Sequence, residues 1–420
     1  APKLVLAMVG LPARGKSHIA KKLARFLSWL GHPTRIFNVG SYRRSILGAG
    51  QSADFFDPTN EEAQRARATV SIEAIEDMCG WLARAQPAGA VAIYDATNTT
   101  RAQRSRITAR VAKAGHDLVF VESICDDETV IEENVRKTKL SNPDYTGVDP
   151  EAAAADFRAR IANYQRAYQP LDPHAEPDSR FMQIIDLGRE VRLHRIEGWL
   201  PSRIVSFLLN MHVEPRTLWL TRHGESASNI AERIGGDLGL TSRGHEYARR
   251  LANFVDEKIA PNDGKPLVWS STLQRSRQTA SAIRAASIRG RIAWRALDEI
   301  DAGVCDGMTY EEIAHAMPDE YAARRADKLR YRYPRGESYQ DVIGRLSPIV
   351  VELERARLPL LVVSHQAVLR IIYGYFMDHA PEVCPRLDVP LHTVIELDVD
   401  PSGCRERRHF LGPARDRPFV

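Results

Sequence analysis

One glycine-rich octapeptide and two widely separated histidines carry the residue types and spacings that bear most directly on chemistry. The octapeptide GLPARGKS (Gly10, Leu11, Pro12, Ala13, Arg14, Gly15, Lys16, Ser17) follows an apolar run and precedes HIAKKLARFLSWL, whose spacing is helical. Such a loop lets backbone N–H groups converge on phosphate oxygens at the positive end of the new helix. Lys16 would reach the β and γ phosphates of a nucleotide, and Ser17 would ligate Mg²⁺. Asp95 ends the apolar run AVAIYD, at the carboxyl edge where sheets of this kind bind ligands. It can hold the Mg²⁺ water shell, accept the proton of an attacking hydroxyl, or cap the next helix.

The histidines suggest a second, different phosphoryl chemistry. His223 in TRHGES and His365 in VVSHQAV each stand just past an apolar strand, and Arg222 flanks the first. Two parallel strands that deliver imidazoles to one sheet edge are what a phosphohistidine mechanism requires, one ring attacking phosphorus and the other stabilising charge. STLQRSRQTA adds Arg275 as a clamp, and LDEIDAGVCDG adds Glu299 as a proton donor for the leaving oxygen. No metal is implied at this second site. In the first half Arg43, Arg44, Arg67, Arg101, Arg104, Lys139 and Arg160 offer donors for a sugar phosphate, arginine giving bidentate geometry. Spacing alone does not choose among them.

These side chains need sheets to position them. In the first half the runs Leu4–Gly10, Thr34–Val39, Ala90–Asp95, Asp117–Ser123 and Met182–Leu187 alternate with amphipathic stretches, which predicts βαβ units and a parallel sheet covered by helices. The pattern restarts with Thr217–Gly224, Pro266–Ser270, Arg291–Arg295 and Leu358–His365. A chain of 420 residues exceeds one core of ordinary size. Two tandem three-layer α/β domains are expected, 1–212 and 213–420, divided within NMHVEPRT where a proline interrupts. The 44% apolar and 27% charged residues are ordinary for a soluble protein, with no apolar run long enough to span a membrane and no export signal at the start. Five scattered cysteines suit reduced thiols and a cytoplasmic setting, and a net charge of +4 without basic runs argues against nucleic acid as partner.

GLPARGKS, FNVGSYRR, DATNTTR, SNPDY, YQPLD, RHGES, RIGGD, EIDAGVC, MTYEEI, RYRYPRGESYQD, SHQAVLR and PLHTV appear in an order that resembles the bifunctional 6-phosphofructo-2-kinase/fructose-2,6-bisphosphatase family over nearly the whole chain. The resemblance implies a P-loop kinase domain followed by a histidine phosphatase domain of the phosphoglycerate-mutase type. ATP with Mg²⁺, fructose 6-phosphate and fructose 2,6-bisphosphate become the expected small molecules, with a homodimer as a possible assembly. It assigns catalysis in the first half to Lys16, Asp95 and Cys125, nucleotide contacts to the loop with Asn134 and Lys139, and Mg²⁺ to Ser17 and Asp95. Fructose 6-phosphate contacts fall on Arg43, Arg67, Thr97, Lys139, Arg160 and Tyr164.

In the second half the resemblance implies that His223 is phosphorylated, that Glu299 donates the proton, and that His365 and Arg222 complete the catalytic set. Substrate contacts fall on Arg222, Asn229, Gly235, Arg275, Tyr310, Arg324, Lys328, Tyr339, Gln366 and Arg370. The segment DKLRYRYPRGESY favours a fructose bisphosphate over the phosphoglycerate substrates of mutases with the same two-histidine chemistry. Where the family usually reads TTRERR this chain has TTRAQR, so Gln103 replaces one arginine. That exchange would weaken sugar-phosphate binding by roughly 1 to 3 kcal/mol unless Arg101 or Arg104 takes its place. An impaired kinase half that only senses ATP is the alternative. Because the chain opens at the first strand and ends soon after CRERRHF, control through terminal extensions is not expected.

Overall fold

The computed structural model describes residues 3–85, 89–136, 142–211, 214–400 and 403–412. The chain divides into two compact units, residues 1–28 with 32–212 and residues 29–31 with 213–420. No helix among the described residues is long and apolar enough to cross a membrane.

The first unit is built on strands β1 (Leu4–Val9), β2 (Thr34–Asn38), β3 (Val91–Asp95), β4 (Asp117–Ile124), β5 (Phe181–Ile185) and β6 (Glu190–His194). They form one sheet in the order β2-β3-β1-β4-β5-β6. β1, LVLAMV, is buried along its whole length, as a central parallel strand with helices on both faces must be. Val5, Ala7, Val9, Ala92, Tyr94 and Phe120 pack with Ala74, Met78 and Leu82 of the helix Glu61–Arg84 to form its core. Connections leave β1 and β4 in opposite directions, so a crevice opens between their carboxyl ends.

The second unit holds β7 (Arg216–Arg222), β8 (Leu267–Ser270), β9 (Gly290–Ala293), β10 (Leu360–Ser364), β11 (Thr393–Asp400) and β12 (Gly403–Phe410). Their order is β12-β11-β7-β10-β8-β9. Here β7 and β10 are the neighbours from which connections diverge, paired in parallel with Ser364 opposite Arg222. The last residues of both strands therefore reach the same edge.

Each sheet departs from the parallel expectation at an edge. β6 runs antiparallel to β5, and β11 is antiparallel to both β7 and β12. β6 (EVRLH) and β12 (GCRERRHF) are largely exposed and charged, as suits edge strands that must not recruit another sheet. That polarity hides them from a search for apolar runs.

Arg216, at the start of β7, donates to Glu354 at 2.9 Å, and the other oxygen of Glu354 accepts from the Tyr375 hydroxyl at 2.7 Å. Both ions are buried. Glu354→Ala leaves the guanidinium buried without its counter-charge, a loss of about 3–5 kcal/mol. In scanning calorimetry of the full chain, the transition of the second unit should fall by roughly 6–20 °C. An unchanged transition would contradict the assignment.

Candidate active sites

In the first unit the octapeptide turns from β1 into the helix Lys16–Trp29. Gly10 has φ +130° and passes so close to β4 that a Cβ would stand 2.5 Å from the Ser123 carbonyl oxygen. Only glycine allows that approach. Around it, the Gly10 N–H donates to Thr97 O at 2.9 Å, Ser123 Oγ donates to Arg14 O, and Asn134 Nδ2 donates to Ala13 O at 3.1 Å. Lys16 is buried and donates to Leu11 O at 2.5 Å, across the hollow of the loop. Burial lowers the pKa of Arg14, against the pull of nearby Cys125 and Asp126. Ser17 follows Lys16 in the first turn of the helix.

Asp95 closes β3, is buried, and accepts from Asn38 Nδ2 at 2.6 Å. It does not cap the next helix, Arg101–Lys113, whose cap is Thr100. Cys125 lies just past β4, with its thiol pKa raised by burial. Glycine loop, Asp95, Thr97, Cys125 and Asn134 thus gather where β1, β3 and β4 end.

Tyr164 joins this edge to a cationic cluster: burial raises its phenol pKa, and Arg67, Thr97, Arg43 and Arg160 oppose that rise. The guanidiniums of Arg43, Arg67 and Arg160 lie 5.6, 6.0 and 4.6 Å from the Phe56 ring centre. Asp144 pairs with Arg43 and with Arg160 (3.4 Å), and Asp156 accepts from Arg160 Nε at 2.9 Å. One terminal nitrogen of Arg43, Nη1, is buried with no partner among the described residues. Lys139 lies outside the described residues.

Gln103 is the third residue of the helix Arg101–Lys113 and completes its capping box: Gln103 Oε1 accepts from Thr100 N at 3.1 Å, and Gln103 N donates to Thr100 Oγ1 at 3.2 Å. Arg104 is not free to replace a missing donor. It is buried, donating to Glu176 through Nε at 2.9 Å, to Asn98 O at 3.1 Å and to Gln169 O at 2.9 Å.

In the second unit His223 and His365 follow the paired strands β7 and β10, and their ring centres are 5.0 Å apart, close to the spacing of neighbouring strands. His223 Nδ1 contacts the Gly224 carbonyl at 2.7 Å. A carbonyl only accepts, so Nδ1 carries the proton and Nε2 keeps its lone pair. Arg275 Nε donates to that Nε2 at 3.2 Å. The pKa of His223 lies well below the ordinary range, through burial and then through Arg275 and Arg222. His365 is depressed in the same way, by burial and by His223. Its Nε2 pairs with Ser271 Oγ at 2.7 Å, while Nδ1 is buried with no partner among the described residues.

Arg222 Nη1 donates to Val389 O at 3.2 Å, and burial lowers its pKa to about 10. Glu299 accepts from the Ala367 N–H at 3.2 Å, in the first turn of the helix Gln366–Phe376, which Gln366 opens. Asn229 Oδ1 accepts from Ser226 N at 2.9 Å, and Gly235 (φ +70°) stands against Asp306. Beside them Arg324 donates to the Tyr310 and Tyr333 hydroxyls at 2.7 and 2.8 Å. Arg370 donates to Leu387 O at 2.6 Å and to Tyr339 OH at 3.4 Å. Lys328 donates to Pro385 O at 3.1 Å and lies 5.9 Å from the Tyr339 ring centre. Its pKa is pushed down to about 7 by burial, then by Arg324 and Arg370.

Sequence reasoning passed over Asn38, Asp144, Asp156, Ser271 and His392. Asn38 ends β2 directly opposite Asp95 in register, a pairing that only the strand order reveals. Asp144 lies in SNPDY, far along the chain from the arginines it pairs, and nothing local marks it.

The model of the family described as 6-phosphofructo-2-kinase matches residues 1–215, and that of the Histidine phosphatase superfamily (branch 1) matches residues 218–411. A 6-phosphofructo-2-kinase/fructose-2,6-bisphosphatase of Arabidopsis thaliana is 48% identical over 97% of this chain, which spans about half (54%) of that relative's length. Isoform 3 of Homo sapiens is 46% identical over 97% of this chain and 76% of its own length. Among solved structures, the α-ribazole phosphatase of Shigella flexneri overlaps 48% of this chain and 100% of its own at 22% identity, with a TM-score of 0.42. With both halves matched by their family models and its full-length relatives nearly half identical, the chain belongs to the 6-phosphofructo-2-kinase/fructose-2,6-bisphosphatase family.

Proposed function

We propose that the first unit phosphorylates the 2-hydroxyl of fructose 6-phosphate with ATP and that the second removes the same phosphate through a phosphohistidine. The observation that carries the reading is the convergence of the His223 lone pair, the Arg275 guanidinium and the His365 ring at the ends of β7 and β10.

In the kinase unit the glycine loop and Lys16 hold the triphosphate. Asp95 takes the proton of the 2-hydroxyl as its oxygen attacks the γ phosphorus. Arg43, Arg67, Arg160 and Tyr164, with Thr97, hold the sugar phosphate. The Ser17 hydroxyl and Asp95 carboxylate are hard oxygen donors that fit Mg²⁺, which supplies charge neutralisation on the nucleotide when bound. Cys125 and Asn134 border the nucleotide side.

In the phosphatase unit His223 Nε2 attacks the C2 phosphate, the P–O bond to C2 breaks, and Glu299 gives the leaving oxygen its proton. Water then cleaves the P–N bond, returning its proton to Glu299 and freeing phosphate. Arg222, Arg275, Asn229 and His365 steady the transferring group. Tyr310, Arg324, Lys328, Tyr339, Gln366 and Arg370, with Gly235, hold the sugar and its 6-phosphate. The depressed pKa of His223 supports the scheme, since only a neutral imidazole is a nucleophile.

Single substitutions should separate the activities. Lys16→Ala should lower synthesis of fructose 2,6-bisphosphate by at least about a hundredfold and leave its hydrolysis intact, and His223→Ala should do the reverse. Paired assays with ATP, Mg²⁺ and fructose 6-phosphate, then with the bisphosphate alone, check this. Loss of both activities in either variant would refute the division of labour.

The pH profile of hydrolysis offers another check. Lys328 is charged below about pH 7 and neutral above it, so kcat/KM should fall as pH rises through 7. Lys328→Arg keeps the charge throughout and should flatten that limb. A limb unchanged in the variant would assign it elsewhere.

A further inference from the structure

We propose that His392, which no role above uses, is a positioning residue for the nucleophile His223, acting through the peptide plane between Gly224 and Glu225; the inference rests on the bisphosphatase reading given above. That plane carries two groups, the Gly224 carbonyl and the Glu225 N–H. The carbonyl accepts from His223 Nδ1 at 2.7 Å, and the N–H donates to His392 Nε2 at 3.2 Å. A trans peptide is rigid and sends these two groups in opposite directions. The two imidazoles are therefore joined in one chain, His223 Nδ1–H to O=C–N–H to His392 Nε2. Because a ring nitrogen accepts only when unprotonated, His392 must carry its proton on Nδ1, and each bond polarises the next. The effect at the far end is to fix His223 in the tautomer whose Nε2 lone pair faces Arg275 and to make that lone pair more basic.

The neighbouring loop amides are already committed. His223 N donates to Ser364 O at 3.0 Å, Gly224 N to Thr279 Oγ1 at 2.9 Å and Ser226 N to Asn229 Oδ1 at 2.9 Å. Glu225 is the remaining amide of that run, and an imidazole rather than a carbonyl or hydroxyl receives it.

The fold holds His392 in place at some cost. The residue is 2% exposed and has φ +57°, a left-handed conformation uncommon outside glycine. Its ring lies 4.9 Å from that of Tyr247, whose hydroxyl pairs with Thr221 Oγ1 on β7. Thr221 Oγ1 also reaches Thr393 O at 3.0 Å, and Leu411 N donates to His392 O at 2.9 Å. A strained backbone clamped on both sides, with its side chain aimed at the nucleophile's own peptide, points to a requirement for that imidazole.

Two variants of the full chain isolate the hydrogen bond. His392→Phe keeps the ring shape and loses the acceptor, whereas His392→Gln keeps an acceptor at the Nε2 position, and both retain a side chain at the left-handed backbone. Single-turnover formation of phosphohistidine from fructose 2,6-bisphosphate labelled at the 2-phosphate should slow ten- to a hundredfold in His392→Phe with KM within twofold. His392→Gln should stay within threefold of the unsubstituted chain, and kinase activity should be unchanged in both. Equal rates in the two variants, or KM and kcat altered together, would overturn the proposal. Should His392→Phe fail to fold, ¹⁵N spectra of histidine-labelled protein decide: His223 and His392 must both be Nδ1–H tautomers, and an Nε2–H at His392 would overturn it. Absence of any phosphohistidine in the unsubstituted chain would instead overturn the bisphosphatase reading, and the inference with it.

Discussion

Gathering several cations in one pocket is the constraint on which the second unit depends, and the carbonyls of one short segment, a 3-10 turn (Cys384–Arg386) and the chain just past it, meet it. Every second carbonyl from Pro385 to Val389 takes a cation: Pro385 O receives Lys328, Leu387 O receives Arg370, and Val389 O receives Arg222. Pro385 O belongs to the turn, and the chain becomes extended at Leu387 (φ −62°, ψ +141°). Lys328 lies past the helix Pro318–Ala326, Arg370 on the helix Gln366–Phe376, and Arg222 at the end of β7. One segment thus collects charges from three parts of the fold. Carbonyl dipoles hold these groups without neutralising them, so mutual repulsion and burial remain, visible in the lowered pKa values of Arg222 and Lys328. An anion carrying two phosphates would relieve that repulsion.

The first unit adds carboxylates to such carbonyls, Phe55 O receiving Arg67 and Gln51 O receiving Arg160. There Arg43 and Arg160 share Asp144, and Arg160 also pairs with Asp156. Carboxylates cancel part of the charge before any ligand arrives, and burial of both partners makes that cancellation strong. The difference follows from which groups stand behind the arginines. It cannot be read from the arginines themselves.

That distinction also marks how far the sequence was legible. Apolar runs located the central parallel strands, because a strand buried on both faces has no polar side to disguise it, but not the antiparallel interior strand β11, whose run TVIELDVD is broken by Glu396, Asp398 and Asp400. Motifs that begin or end elements were equally visible: Lys16, Tyr310, Tyr339 and Gln366 are each the first residue of a helix, and capping residues Thr309 and Ser338 announce two of those helices. What stayed hidden were partners brought in from a distance. Asp144 lies 101 residues from Arg43, and His392 lies 167 residues from Glu225. Polar edge strands β6 and β12 were hidden for a different reason, since their exposure removes the apolar signal. Gln103 reads as a lost arginine in sequence, whereas the fold employs it to close a capping box.

The glycine loop of the first unit and the His223 loop of the second share one mechanical feature. The proposed phosphoryl transfer would tolerate little misplacement, and each loop is pressed against neighbouring backbone at a glycine where a side chain has no room. At Gly10 a Cβ would stand 2.5 Å from Ser123 O, and at Gly224 it would stand 2.4 Å from Gly244 O. Gly224 needs no left-handed conformation, being absent from the residues of positive φ; closeness alone demands it. The close approach brings loop amides within reach of fixed acceptors, Thr97 O for Gly10 and Thr279 Oγ1 for Gly224. The position of each loop is therefore fixed by backbone packed on backbone. Side chains such as Lys16 and His223, which must meet changing charge, are left to respond from an immobile base.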